Sequence, residues 1–135
     1  VVSLGRRFRA LKLWFVLRYF GVDRIVDILR NHIGLAAEFE SWVREEPHFK
    51  VMAPRHFSVV VLRYQPPGVA EASLEALNAR ILDAVNASGE AFLSHTRVRG
   101  EFAIRVAIGN LRTERTHVAR VWELIRLAAA SLVEV

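Results

Sequence analysis

Apolar residues recur along this chain at two spacings, every third or fourth residue in four stretches and every second residue in others. The first stretch runs from Leu4 to Phe20. At helical spacing Leu4, Phe8, Leu11, Phe15 and Arg18 form one row, and Leu13, Trp14, Leu17 and Phe20 fill most of the remaining circumference. A helix that is apolar nearly all round is one buried on several sides. Large rings such as Phe8, Trp14, Phe15 and Tyr19 anchor a core or an interface. Gly21 punctuates the pattern, and Asp23 is placed to cap a second helix running to about Glu46. Its stripe is Val22, Ile25, Leu29, Ile33, Ala36, Phe39 and Val43, with Arg24, Asp27, Arg30, Glu38, Arg44 and Glu45 opposite, and Pro47 ends it.

Phe49 to Met52 then reads as a short strand and His56 to Tyr64 as a longer one, apolar on both faces as in a central strand covered on both sides. Pro66-Pro67-Gly68 breaks the chain before a third helix, from about Ala70 to Ser88, with Leu74, Leu77, Ile81 and Val85 on one side and Gly89 as its stop. Ala91 to Arg97 and Phe102 to Ile108 are the arms of a hairpin turning at Arg99-Gly100. In the second arm Phe102, Ile104, Val106 and Ile108 share one face, while Ala103, Arg105 and Ala107 share the other. Thr113 is placed to cap a last helix carrying Val118, Val121, Trp122, Ile125, Ala129 and Leu132. The order α-α-β-β-α-β-β-α predicts an α/β (α+β) small domain: a mostly antiparallel sheet layered with helices, preceded by a long helical pair. No internal repeat, low-complexity run or linker interrupts it.

Composition adds limits to this picture. A length of 135 residues suits one domain, and 53% hydrophobic with 24% charged residues is a globular balance. There is no cysteine, hence no disulfide framework and no thiolate metal site, in keeping with a reducing cytoplasm. The net charge of +5 and pI of about 10.7 raise nucleic acid as a partner. Nearly all the basic charge is arginine, however, and outside Arg6, Arg7 and Arg9 it is spread among glutamates with no nucleic-acid motif, which favours solvated or interface arginine. Three arginines in the first turns of a helix have the wrong sign for its dipole and need partners the nearby sequence does not offer. No charge-free run of about 18 apolar residues marks a membrane span. The rings of the first helix encircle it, unlike those of a membrane-surface helix. The opening Val1-Val2-Ser3 shows no leader pattern, and the expected location is the cytoplasm.

Arg105 is the candidate for chemistry. It sits in mid-strand with small Ala103 and Ala107 on its own face, leaving room above it for a ligand, and a guanidinium fork matches a carboxylate or phosphate. A plain ion pair with a glutamate from a covering helix fits the same pattern. His32, His48, His56, His95 and His117 show no metal-binding spacing. For His117 a capping or surface role is the default. Asn86-Ala87-Ser88 fits a glycosylation acceptor but reads as helix-end chemistry. Paired carboxylates, a Ser/His nucleophile pair and a Gly-rich phosphate loop are absent.

One family resemblance runs through these segments. Leu4-Gly5-Arg6-Arg7-Phe8-Arg9-x-Leu11-Lys12-x-Trp14-Phe15 resembles the segment that opens the C-terminal part of the group II pyridoxal-phosphate-dependent decarboxylases, the aromatic-L-amino-acid decarboxylase family. Phe102-Ala103-Ile104-Arg105-Val106-Ala107-Ile108 resembles the family strand that carries an arginine toward the active site. Arg112-Thr113-x-x-x-His117-Val118 matches its approach to the final helix, and His95-Thr96 is similar to plant and bacterial members.

The resemblance covers essentially the whole chain and implies the C-terminal small domain of a fold type I enzyme. Residues 1–135 would then be that single domain, with 5–46 a helical lead-in bridging to a missing large domain and 49–135 the sheet domain. It implies a cytoplasmic homodimer that binds pyridoxal 5'-phosphate mainly through the missing domain and removes carbon dioxide from an amino-acid substrate, aromatic by family, to give the amine. Arg105 is implied as a substrate-binding residue, meeting the substrate carboxylate. The family's cofactor lysine follows a histidine in Asn-x-His-Lys, a context neither Lys12 nor Lys50 has, so no catalytic, cofactor-binding or metal residue is expected here and the chain should be inactive alone. A decarboxylating aldehyde synthase of the same family and a non-catalytic binding or regulatory module are the alternatives. Neither nucleic acid nor membrane is an expected partner.

Overall fold

A computed structural model describes residues 8–133. The expected helix start at Leu4, with Arg6 and Arg7, lies outside them. The elements are α1 (Arg9–Phe20), α2 (Val22–Glu45), β1 (Phe49–Val51), β2 (Val59–Tyr64), α3 (Glu71–Ala87), β3 (Ser94–Val98), β4 (Glu101–Ala107) and α4 (Arg115–Val133). Two compact units divide the chain inside α2, one ending at Asn31 and the other beginning at His32.

In the first unit α1 ends where Gly21 takes φ 77° and donates its N–H to the Leu17 carbonyl at 3.0 Å. Trp14 meets Phe15 edge-on at 5.2 Å and Tyr19 meets Phe20 at 4.8 Å, with the Arg18 guanidinium 6.0 Å over the Trp14 ring. No residue of α1 is buried, and Trp14, Phe15 and Tyr19 are all more than half exposed. The apolar circumference that predicts a helix buried on several sides is present, but among the described residues it stays exposed. The α2 stripe behaves likewise in this unit, with Val22 and Leu29 exposed.

In the second unit a four-stranded antiparallel sheet has the order β1-β2-β4-β3. Register sets its two faces: Val60 lies opposite Val106 and Leu62 opposite Ile104, while Val61 lies opposite Arg105 and Ser94 opposite Arg105 on the other side. Val60, Leu62, Tyr64, Phe102, Ile104, Val106 and Ile108 join the core, packed with Phe39 and Val43 of α2, Ile81 and Val85 of α3, and Trp122 and Ile125 of α4. Trp122 meets both Phe39 and Phe49 edge-on, at 5.7 and 5.0 Å.

The alternate residues of the strands, Val59, Val61, Arg63, Ala103, Arg105 and Ala107, belong to none of this core. The expectation that β2 is covered on both faces therefore holds for one face within this unit. Three β-branched valines in a row made the strand read as two-sided, whereas the partners of Val59 and Val61 on the far face are Ala107 and Arg105.

Three ends differ from the sequence reading. His56 to Ser58 form a turn, with Phe57 at φ 51°, so β2 begins at Val59. Ala91 to Leu93 is not strand, because Asn86 claims the backbone of Leu93: its Oδ1 accepts the Leu93 N–H at 2.7 Å and its Nδ2 donates to the Leu93 carbonyl at 3.1 Å. Thr113 is not the cap of α4. His117 reaches back instead, its Nδ1 accepting the Glu114 N–H at 3.1 Å.

Candidate functional site

The far face of the sheet carries two guanidinium groups. Arg105 stands on β4 opposite Val61, and Arg63 lies two residues further along β2 on the same face, which makes the two diagonal neighbours about 7–8 Å apart along the backbone. Arg63 is buried and held by two carboxylates, with Nη1 2.7 Å from Glu71 Oε1 and 3.5 Å from Glu101 Oε2. Its Nε, also buried, has no hydrogen-bond partner among the described residues. Glu71 opens α3, so this pair also ties the helix start to the sheet, where an acidic side chain suits the dipole.

Arg105 is arranged differently. It is half-buried, and Nη1 donates to Ser94 Oγ at 3.4 Å. Among the described residues no carboxylate lies within ion-pair distance of it, so the plain ion pair with a helix glutamate is not what the structure contains. Along its own strand Ala103 is fully buried and Ala107 exposed, leaving one side of the guanidinium without a bulky neighbour. Arg63 is thus a neutralised structural cation and Arg105 an uncompensated one, the state suited to receiving an anion. The sequence pattern did not single out Arg63 or Ser94. An arginine inside the apolar run Val59-Val60-Val61-Leu62-Arg63-Tyr64 was the available signal for Arg63, whereas Ser94 becomes visible only from register.

The histidines take structural places. His117 caps α4, His95 stacks on Phe102 at 5.0 Å, and His32, buried, hydrogen-bonds through Nε2 to the Asn110 carbonyl at 3.0 Å. Among the described residues no group of three His, Asp or Glu is placed to hold a metal ion. A cleft of about 680 Å³ lies between the Glu90–Leu93 segment, the end of β4 and α4, floored by Leu93, Ile108 and Val118 and edged by Phe92, Leu124 and His117, and it does not include Arg105.

A covalently held carbonyl cofactor needs a lysine set among phosphate-binding groups. The two lysines of the chain are exposed, Lys12 on α1 and Lys50 on β1, the edge strand of the sheet. Neither fits.

Comparison with known proteins gives this geometry a lineage. Residues 1–65 match the pyridoxal-dependent decarboxylase conserved domain. Tryptophan decarboxylase 2 of Oryza sativa subsp. japonica is 46% identical over 125 residues, which is 93% of this chain and 25% of that protein. Phenylacetaldehyde synthase of Arabidopsis thaliana is 44% identical over 131 residues, covering 97% of this chain and 27% of the relative. The crystal structure of Oryza sativa TDC with PLP and tryptamine superposes with a TM-score of 0.86 at 35% identity, over 97% of this chain and 28% of that one. The chain spans about a quarter of the length of the curated relatives it matches. By sequence over residues 1–65 and by fold over 97% of its length, the chain is similar to a segment of the pyridoxal-dependent decarboxylases.

Proposed function

We propose that this chain is the C-terminal segment of a pyridoxal-phosphate-dependent decarboxylase acting on aromatic L-amino acids, and that its part in the reaction is to receive the substrate carboxylate on Arg105. What carries the proposal is the contrast on one sheet face: Arg63 is occupied by Glu71 and Glu101, while Arg105 has no carboxylate of its own among the described residues. A guanidinium fork aligned on the carboxylate binds and orients the group to be lost, and orientation is a principal source of rate. The cofactor belongs to the remaining three-quarters of the protein, since neither Lys12 nor Lys50 fits it, and the chain alone is inactive.

Two surfaces suit contact with that remainder: the uncovered rings of α1 and the half-buried Val59 and Val61 on the far face. Residues 5–46 serve as the helical lead-in and 49–135 as the sheet domain. The intact protein is a homodimer in the cytoplasm, in keeping with a chain without cysteine. Among the described residues no helix is long and apolar enough to cross a membrane.

A second reading has a specific observation behind it. Phenylacetaldehyde synthase is as similar to this chain as the decarboxylases are, so an aldehyde-forming enzyme shares the same segment. The test is to incubate the intact protein and cofactor with tryptophan, tyrosine or phenylalanine and to measure carbon dioxide together with the organic product. Carbon dioxide with amine supports the decarboxylase, and carbon dioxide with aldehyde selects the synthase. Absence of carbon dioxide from all three substrates contradicts both.

A further inference from the structure

We propose that Ser94 is a positioning residue for Arg105, holding one arm of the guanidinium so that the other edge is presented to a carboxylate; this rests on the role of Arg105 argued above. Ser94 is the residue directly opposite Arg105 on β3. Directly opposed side chains on one face have Cβ atoms about 4.5–5.5 Å apart, close enough for the hydroxyl to meet the guanidinium. The contact is the 3.4 Å hydrogen bond from Nη1 to Ser94 Oγ, long enough to be a tether rather than a clamp.

The other directly opposed and flanking residues on that face are apolar, and the diagonal ones include the cation Arg63 and Thr96. Val61 stands across the β2 side, and Ala103 and Ala107 flank it along β4. Among the described residues Ser94 is the one side chain that accepts a hydrogen bond from Arg105. A bond through Nη1 leaves the Nε and Nη2 edge of the fork free, and that edge is one of the two that pair bidentately with a carboxylate.

The neutrality of Ser94 matters as much as its reach. Arg63 shows what acidic partners do on this face: Glu71 and Glu101 hold it and balance its charge. A hydroxyl steers Arg105 without neutralising it. Arginine has many rotamers, and fixing them before binding removes part of the ordering cost that the substrate would otherwise meet.

The test compares Ser94→Thr with Ser94→Val in the intact enzyme, because the two side chains have nearly the same shape and differ in the hydroxyl. The expected result is that Ser94→Val raises KM for the amino acid about two- to tenfold, the effect of one long hydrogen bond, while kcat stays near the wild-type value and Ser94→Thr stays near wild type in both. Inhibition by the amine product, which has no carboxylate, should be unchanged in both variants. In the 135-residue chain the NMR signal of the Arg105 Nε–H should broaden and exchange faster in Ser94→Val than in Ser94→Thr. Equal KM values for the two variants overturn the inference. Arg105→Lys, run alongside, separates the two levels: if it weakens amino-acid binding while Ser94→Val does not, only the role of Ser94 fails. If Arg105→Lys also leaves binding unchanged, the role of Arg105 itself fails.

Discussion

The carboxamide of Asn78 closes on the backbone of Tyr64, its Oδ1 accepting the Tyr64 N–H at 2.8 Å and its Nδ2 donating to the Tyr64 carbonyl at 2.9 Å. The paired residues of β2 and β4 run as far as Leu62 and Ile104, and beyond that point a side chain from α3 takes the place of the neighbouring strand. Asn78 is fully buried, and its second Nδ2 bond goes to the Leu74 carbonyl at 2.8 Å.

Replacing Asn78 by Leu, of similar size, should therefore leave a buried N–H and a buried carbonyl unpaired. At about 1–3 kcal/mol for each orphaned group, a loss of about 2–6 kcal/mol is expected. Urea denaturation of the two proteins measures it directly, and an unchanged midpoint would mean that water reaches the Tyr64 backbone.

The hairpin between β3 and β4 turns on Arg99 at φ 53° and Gly100 at φ 87°, both left-handed. Such two-residue turns match the twist of the strands and favour glycine at the second position. Gly100→Ala should cost about 1–2 kcal/mol, since the left-handed region brings Cβ against the carbonyl, even though nothing else lies within 4 Å of the added atom. A thermal melt checks this.

These two sites mark what the sequence could and could not reveal. The hairpin, the four helices and the face of Phe102, Ile104 and Val106 were legible because local chemistry and side-chain period act over a few residues. The grip of Asn78 on Tyr64 and of Asn86 on Leu93 was not, because a side chain that substitutes for a strand leaves no periodic trace. Arg105 was legible from its two alanines and from family resemblance. Ser94 was not, because its place opposite Arg105 depends on the register of the hairpin. The cap of α4 fell to His117 rather than Thr113 because the helix begins at Arg115, and a side chain three residues beyond Glu114 reaches back to the Glu114 N–H.

Glu40 lies between two arginines. Arg44 Nη2 donates to its Oε1 at 2.6 Å and Arg55 Nε to its Oε2 at 2.9 Å. The Arg44 bond holds its carboxyl below the ordinary glutamate value, burial opposes this, and the Arg55 bond adds to it. A depressed folded-state value means that the stabilisation is present above the unfolded value, about 4.3, and is lost as pH falls through the folded one. With Arg44 exposed the contribution should be no more than about 1 kcal/mol. Melting temperatures between pH 6 and pH 3 should fall less steeply in Glu40→Gln than in the wild type, and equal slopes would show that Glu40 is not the group responsible.

The most direct test of the role given to Arg105 is kcat/KM of the intact enzyme carrying Arg105→Lys, measured together with its melting temperature. Lysine keeps the charge and loses the fork. A charge-assisted hydrogen bond to the reacting carboxylate is worth about 1.5–3 kcal/mol, so kcat/KM should fall about ten- to a hundredfold while the melting temperature stays that of the wild type. An unchanged kcat/KM with a clear drop in melting temperature would make Arg105 a structural residue of the sheet and contradict its place at the substrate.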